Sequence, residues 1–388
     1  VKIENISISD IGGIHSLSLN FNPRMNILCG PNGIGKTTIL ECIAHCFTAG
    51  ETFVLRRNVL APSGKIKASL SHNSVASTIG FELTQYEPHQ GAGIHGDATN
   101  SGYLLSLKTS RTFAYTPLQS ISKDVEKQIH NIWQEGRAGV GLHDIKNWFV
   151  NRYLYSAHEG ALSEAQKNNF ALAKKCFSAL NPEFSFKRVN ASTNEILVDS
   201  PGGPIYYEYL SSGFKSCLAI FFGIIKEIEF RFSDVRAVDF EGVVLIDEVE
   251  LHLHPEWQNK IAGLLSEIFP MVQFIVTTHS PHVIQSAERD QILALEVRDG
   301  QVAPRKLPVS DYGFMGWTVD EVLTDVMGMT DTRTEIFNKL MNEFTSAIDQ
   351  ENFASASLAY GELDSLLHPL SHLRKLLRLQ IASLGGSQ

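Results

Sequence analysis

The chain has 388 residues, 43% hydrophobic and 19% charged, a composition that suits a globular protein of one elaborated domain or two smaller ones. Its formal net charge of −9 argues against binding nucleic acid through a uniformly basic surface, although Arg56, Arg57, Lys65 and Lys67 form a local basic cluster. The longest apolar run, Leu218 to Ile225, is stopped by Lys226 well short of the roughly 20 residues that span a bilayer, so no membrane insertion is expected.

In chain order, residues 1 to 29 read as short strands. They end in the apolar Met25-Asn26-Ile27-Leu28-Cys29, which runs into a Gly-rich turn and a helical Thr38 to Phe47. This alternation lacks the charged-then-apolar layout of a signal peptide, and the expected compartment is the cytoplasm. Two more strands are predicted between Gly64 and Gln85, then a mobile Gly/His/Asn-rich loop over Gln90 to Gly102, then a strand at Tyr103 to Leu107. Residues 121 to 180 carry helical spacing broken by Gly136, Gly139 and Gly141, and read as an inserted helical subdomain. Strands resume at Phe184 to Val189 and Glu195 to Val198, and a helix starts near Gly213. Val243 to Ile246 and Gln273 to Thr277 are short apolar runs of the kind buried in a parallel sheet, and beyond residue 317 the chain reads as helices.

Chemistry concentrates at a few places. Gly30-Pro31-Asn32-Gly33-Ile34-Gly35-Lys36-Thr37 fits the phosphate-binding pattern G-x-x-x-x-G-K-[ST], set between a strand and a helix as the mechanism requires. Glycines let backbone N–H groups close around the phosphates of ATP, Lys36 meets the β and γ oxygens, Thr37 holds Mg²⁺, and Thr38 reaches the α-phosphate. Val243-Val244-Leu245-Ile246-Asp247-Glu248 is an apolar strand delivering two carboxylates. In this Walker B pattern Asp247 holds Mg²⁺ through water and Glu248 polarises the attacking water as general base. The cysteines, including Cys29, Cys42 and Cys46 near the phosphate loop, read as small buried apolar residues. Cys42, His45 and Cys46 share a helix face but lack the second pair a zinc site uses.

Two further segments resemble those that separate ABC ATPases from other phosphate-loop families. Leu210-Ser211-Ser212-Gly213-Phe214-Lys215 is similar to the ABC signature, whose Ser hydroxyl and Gly amides bind the γ-phosphate held by the opposite subunit. Ser212 replaces its first Gly and Lys215 its Gln, spellings similar to those of the branch containing RecF, SMC and overcoming-lysogenisation ATPases. His279, in Thr277-Thr278-His279-Ser280-Pro281, matches the switch histidine that contacts the γ-phosphate, and Glu250-Leu251-His252-Leu253-His254-Pro255 looks like the D-loop of this branch. Gln85, Arg111 and Gln119 are all candidates for the Q-loop residue.

The resemblance implies an α/β fold: a P-loop NTPase head of ABC type with a mixed sheet, an inserted helical subdomain and a C-terminal helical extension. The expected divisions are residues 1–120 with the phosphate loop, 121–182 as the insert, 183–308 with signature, Walker B, D-loop and switch, and 309–388 as a helical assembly or docking region. The insert is too short for the long coiled coil of a chromosome-maintenance ATPase. Gly316-Trp317-Thr318-Val319-Asp320-Glu321-Val322-Leu323 resembles a segment of the ATPase subunits of Septu antiphage systems, free-standing or attached to retrons. That resemblance implies an ATP hydrolase, slow, forming homodimers over ATP and possible higher oligomers. Its implied partner is an HNH-type nuclease, joined in retrons by a reverse transcriptase and its small DNA, with nucleic acid reached through the complex. Glu296-Val297-Arg298-Asp299-Gly300 lacks the D-x-D pair of a Toprim nuclease, so the chain is expected to cut nothing itself. A RecF-like DNA-repair clamp and a transporter ATPase stand as the alternatives.

Overall fold

The computed structural model describes residues 1–73, 75–109, 117–124 and 126–385. Alternating residues at the start of the chain form an antiparallel sheet of Ile14–Asn20, Lys2–Ile11, Gly64–His72 and Val75–Leu83, in that order. Ile3 and Ile6 are three residues apart, yet both are buried. The register of Lys2–Ile11 against Gly64–His72 shifts between Ile3 and Asn5, and this irregularity resets a pattern of period two.

The central sheet, among the described residues, runs Gln301–Pro304, Ile292–Arg298, Met25–Cys29, Gln273–Thr277, Val243–Ile246 and Leu104–Leu107. All neighbours are parallel except the first pair, so the sheet is mixed. Its apolar runs alternate between two cores, as a sheet covered on both faces requires. Leu28, Leu245 and Ile275 pack with Ile39, Leu40 and Ile43 of the helix Lys36–Cys46. Ile27, Ile246 and Val276 pack on the other side with Leu218, Phe222 and Ile225 of the helix Ser212–Arg231. Gln273 ties the two sheets together, accepting from Ile3 N at 2.8 Å and donating to Ile3 O at 2.9 Å.

The predicted helical insert appears as Ile129–Ala138, Ile145–Tyr155 and Glu164–Leu180, but it is not a separate body. Trp148, Phe149, Phe170 and Phe177 share one core with Phe222 and the central sheet. The reason lies in Ser212–Arg231, which is buried on nearly all sides and needs a second layer to cover it. Its charged end is paired: Glu229 with Arg152 at 2.7 Å, and Glu227 with Lys127 at 2.6 Å and Arg231 at 3.4 Å. Burial alone would raise the Glu227 carboxyl, but Lys226, Arg231 and Lys127 hold it down to about 2. Removing one member of such a buried pair costs about 3–5 kcal/mol.

Two other expectations need correction. The loop over Gln90 to Gly102 is ordered: Ala92–His95 pairs antiparallel with Ala49–Thr52, and Ala98–Tyr103 is a 3₁₀ turn capped by Asp97. In the basic cluster Arg56 donates to the carbonyls of Leu55 and Pro88, Arg57 to those of Thr84, Asn58 and Ala61, Lys65 faces Glu82, and Lys67 is exposed. The boundary expected at 308/309 also moves, since the first compact unit runs from Val1 to Gly328. Phe314, Val322, Val326 and Met327 bury themselves on Cys29, Ile284 and Ala294, and so belong to the head.

The second unit, Met329–Gln388, holds the helices Glu335–Asp349, Phe353–Leu366 and His372–Gly385, interrupted around Pro369. Leu340, Phe344, Ala356, Leu363 and Leu377 form its core. Ile336 is exposed, as are Leu358, Leu366, Leu370, Leu376 and Leu379. No helix among the described residues is long and apolar enough to cross a membrane.

Candidate nucleotide site

Three adjacent parallel strands, Met25–Cys29, Gln273–Thr277 and Val243–Ile246, deliver the phosphate loop, the switch and the Walker B carboxylates to one edge of the sheet. Ligand sites of open α/β sheets lie beyond the carboxyl ends of such strands. Gly30 leaves its strand at φ 141°, and a Cβ there would sit 2.5 Å from the Leu295 carbonyl oxygen, which only glycine tolerates. Gly33 and Gly35 also take positive φ, at 74° and 101°. Gly35 is the N-cap of Lys36–Cys46 without any side-chain cap bond, so the first-turn N–H groups are left for an anion at the positive end of the helix.

Lys36 is buried, with 5% of its surface exposed. Its Nζ donates to Gly30 O at 2.9 Å and Pro31 O at 3.0 Å, folding the side chain along the loop. Burial lowers its pKa below the usual lysine range, against the opposing pull of Glu250, Asp247 and Glu248.

Thr37 Oγ1 lies 3.2 and 3.1 Å from the two carboxylate oxygens of Asp247. An oxygen-only pair of this kind suits a hard divalent cation such as Mg²⁺. Thr277 Oγ1 donates to Asp247 Oδ1 at 2.6 Å and accepts the N–H of Glu248 at 2.8 Å, so one hydroxyl sets both acidic residues. Glu248 sits at φ 49°, a left-handed conformation that costs a non-glycine residue about 1 kcal/mol. His279 is exposed beyond Thr278, whose N–H is held by Leu28 O at 3.1 Å.

The signature residues stand on another element. Ser211 is the N-cap of Ser212–Arg231, accepting from Phe214 N at 3.3 Å, while Ser211 and Ser212 remain exposed. A Cβ on Gly213 would lie 3.3 Å from Trp257, 3.5 Å from His254 N and 3.6 Å from His252 O, so the signature abuts the D-loop of its own chain. Of the Q-loop candidates, Arg111 lies outside the described residues and Gln119 is exposed. Gln85 turns back on its own chain, accepting from Thr84 N at 3.2 Å. All five cysteines are free and buried, and burial pushes the thiols of Cys29 and Cys46 up to about 12. Among the described residues no cluster of three or more His, Cys, Asp or Glu side chains gathers into a metal site. The motif pattern assigns no role to Thr277, whose signal in the sequence is the Thr-Thr pair ahead of His279.

A glycine-rich loop between a strand and a helix, with Thr37 and Asp247 meeting beyond the carboxyl ends of parallel strands of a mixed sheet, fits a phosphate-loop NTPase head of the ABC type. A family model described as "AAA domain, putative AbiEii toxin, Type IV TA system" matches residues 25–285. The Septu protein PtuA of Bacillus thuringiensis is 43% identical over 391 residues, covering 99% of this chain and 98% of that protein. The Retron Ec83 probable ATPase of Escherichia coli is 26% identical over 264 residues, 65% of this chain and 47% of that protein. The SMC head domain from Thermotoga maritima aligns with a TM-score of 0.47 and 18% identity, covering 80% of this chain and 100% of that one. The chain belongs to this AAA-domain ATPase family and, within it, to the Septu PtuA proteins.

Proposed function

We propose that the chain is the ATPase subunit of a Septu-type antiphage system, in which two heads close over two ATP molecules and so regulate an HNH-type nuclease partner. The similarity to a Septu PtuA protein along the whole chain supports the setting over a RecF-type clamp or a transporter. The observation that carries the chemistry is the Thr37–Asp247–Thr277–Glu248 chain of hydrogen bonds, which joins phosphate loop, Walker B and switch in one site.

In this reading the amides of Gly33 and Gly35 and the ammonium of Lys36 bind the phosphates, and Thr37 and Asp247 hold Mg²⁺. Bound there, the ion would supply charge neutralisation for the phosphates. Glu248 takes the proton of the attacking water, and His279 faces the γ-phosphate. Ser211 and Gly213 serve the site of the opposite head, since in their own chain they meet the D-loop. Cleavage belongs to the partner, and the exposed leucines of the second unit form its docking or assembly surface.

Phage challenge of cells carrying this chain with the HNH nuclease encoded beside it tests the reading. Protection should need both proteins and be lost with Glu248→Gln, whose hydrolysis should fall about 10²- to 10⁴-fold while ATP binding persists. Full protection by the nuclease alone would sink it. A chain truncated after Gly328 should keep ATP binding and lose capture of that nuclease or its higher assembly; unchanged capture and assembly would remove the docking role.

A further inference from the structure

Glu250 is a third carboxylate close behind Asp247 and Glu248, and the motif pattern gives it no task. Its two oxygens serve different donors: Oε2 accepts the Thr278 hydroxyl at 2.8 Å and Oε1 accepts the backbone N–H of His279 at 2.5 Å. Both donors belong to the switch. Thr278 is fully buried while His279 is exposed, so the carboxylate grips the backbone where the histidine leaves the sheet.

The connections continue in both directions. Thr278 Oγ1 accepts Ser280 N at 3.0 Å, Ser280 Oγ donates to Gln258 Oε1 at 2.6 Å, and Gln258 Nε2 donates to Leu253 O at 2.8 Å. Residues 250–258 are thus fastened to the switch near both ends, and the same residues, His252, His254 and Trp257, lie against Gly213 of the signature.

We propose that Glu250 is a positioning residue whose carboxylate fixes the backbone of His279 to the 250–258 segment, so that the switch histidine and the signature helix start move as one unit. The proposal rests on the reading of His279 as a γ-phosphate contact. Glu250 acts here through position, since each of its oxygens accepts a donor from the switch. In the closed dimer this arrangement ties the switch of one nucleotide to the signature that serves the other.

Single-turnover ATP hydrolysis and ATP affinity, measured separately on the full chain with Mg²⁺, test this. Glu250→Ala should slow hydrolysis about 10- to 100-fold, the range a misplaced reacting group produces, with affinity held within about twofold. Glu250→Gln should recover most of the rate, since its carbonyl keeps the His279 bond and its amide can donate to the Thr278 hydroxyl. Thr278→Val, which keeps the His279 bond, should fall between wild type and Glu250→Ala. A Glu250→Ala rate equal to wild type, beside a slow His279→Ala, overturns the proposal, and so does a Gln variant as slow as Ala, which would mean that charge and not position matters. His279→Ala at the wild-type rate would instead remove the switch reading itself. If Glu250→Ala melts early, Thr278→Val replaces it, and an unchanged rate there overturns the proposal.

Discussion

Thr277 ends one strand and Asp247 directly follows the parallel strand beside it, and the threonine hydroxyl donates to the carboxylate at 2.6 Å while receiving the Glu248 N–H at 2.8 Å. Thr277→Val keeps the shape and removes both bonds. Asp247 then loses a fixed donor and Glu248 its backbone anchor, so hydrolysis should fall about 10- to 100-fold with little change in ATP affinity. A single-turnover assay reading the wild-type rate would show that the hydroxyl does not set these groups.

Lys36→Ala should abolish tight ATP binding, because in the proposed reading it removes the cation that binds the phosphates. Lys36 is buried on its own loop, so a small change in melting temperature is also expected from the lost bonds to Gly30 and Pro31. Isothermal titration checks the claim: unchanged affinity would end the phosphate-loop assignment.

The four sequence motifs were legible because each is contiguous and phosphate chemistry restricts the residue types at each position. Thr37 of the phosphate loop meets Asp247, and Thr277 bonds both Asp247 and the Glu248 N–H, at the ends of neighbouring parallel strands. What stayed hidden depends on contacts across the chain. Phe314, Val322 and Val326 have the spacing of any amphipathic helix, and nothing in that spacing says that they cover Cys29. The pairing of Ala49–Thr52 with Ala92–His95 joins segments with little apolar alternation. The burial of Lys36 follows from where the loop carbonyls point, which a motif does not record.

Gly328 closes the head against the phosphate loop. It sits at φ 73°, and a Cβ there would lie 3.0 Å from Pro31 Cγ. Gly328→Ala therefore adds about 1 kcal/mol of backbone strain and presses on the loop that holds the phosphates. Melting temperature and ATP affinity should both fall, whereas a variant with unchanged affinity would separate this contact from nucleotide binding.

His45, on the helix that follows the phosphate loop, gives the head a pH dependence. It is fully buried, its Nδ1 is 2.6 Å from Glu41 O, and burial pushes its pKa down to about 4. An unfolded histidine takes its proton near pH 6.5, so between these values the unfolded state binds more protons. Stability is full above about pH 6.5 and falls toward pH 4, by up to ~1.4 kcal/mol per pH unit. Denaturant unfolding at pH 7 and pH 5 should show the loss, and His45→Phe should flatten it. An equal slope in both proteins would assign the dependence elsewhere.

The most direct test of the central claim, that each nucleotide site is shared between two heads, mixes a Lys36→Ala chain with a Ser211→Arg chain. Neither should hydrolyse ATP alone. A hetero-dimer retains one site with both its phosphate loop and its opposing signature intact, so single-turnover hydrolysis should return in part. A mixture that stays inactive although hetero-dimers are demonstrated would contradict the shared site.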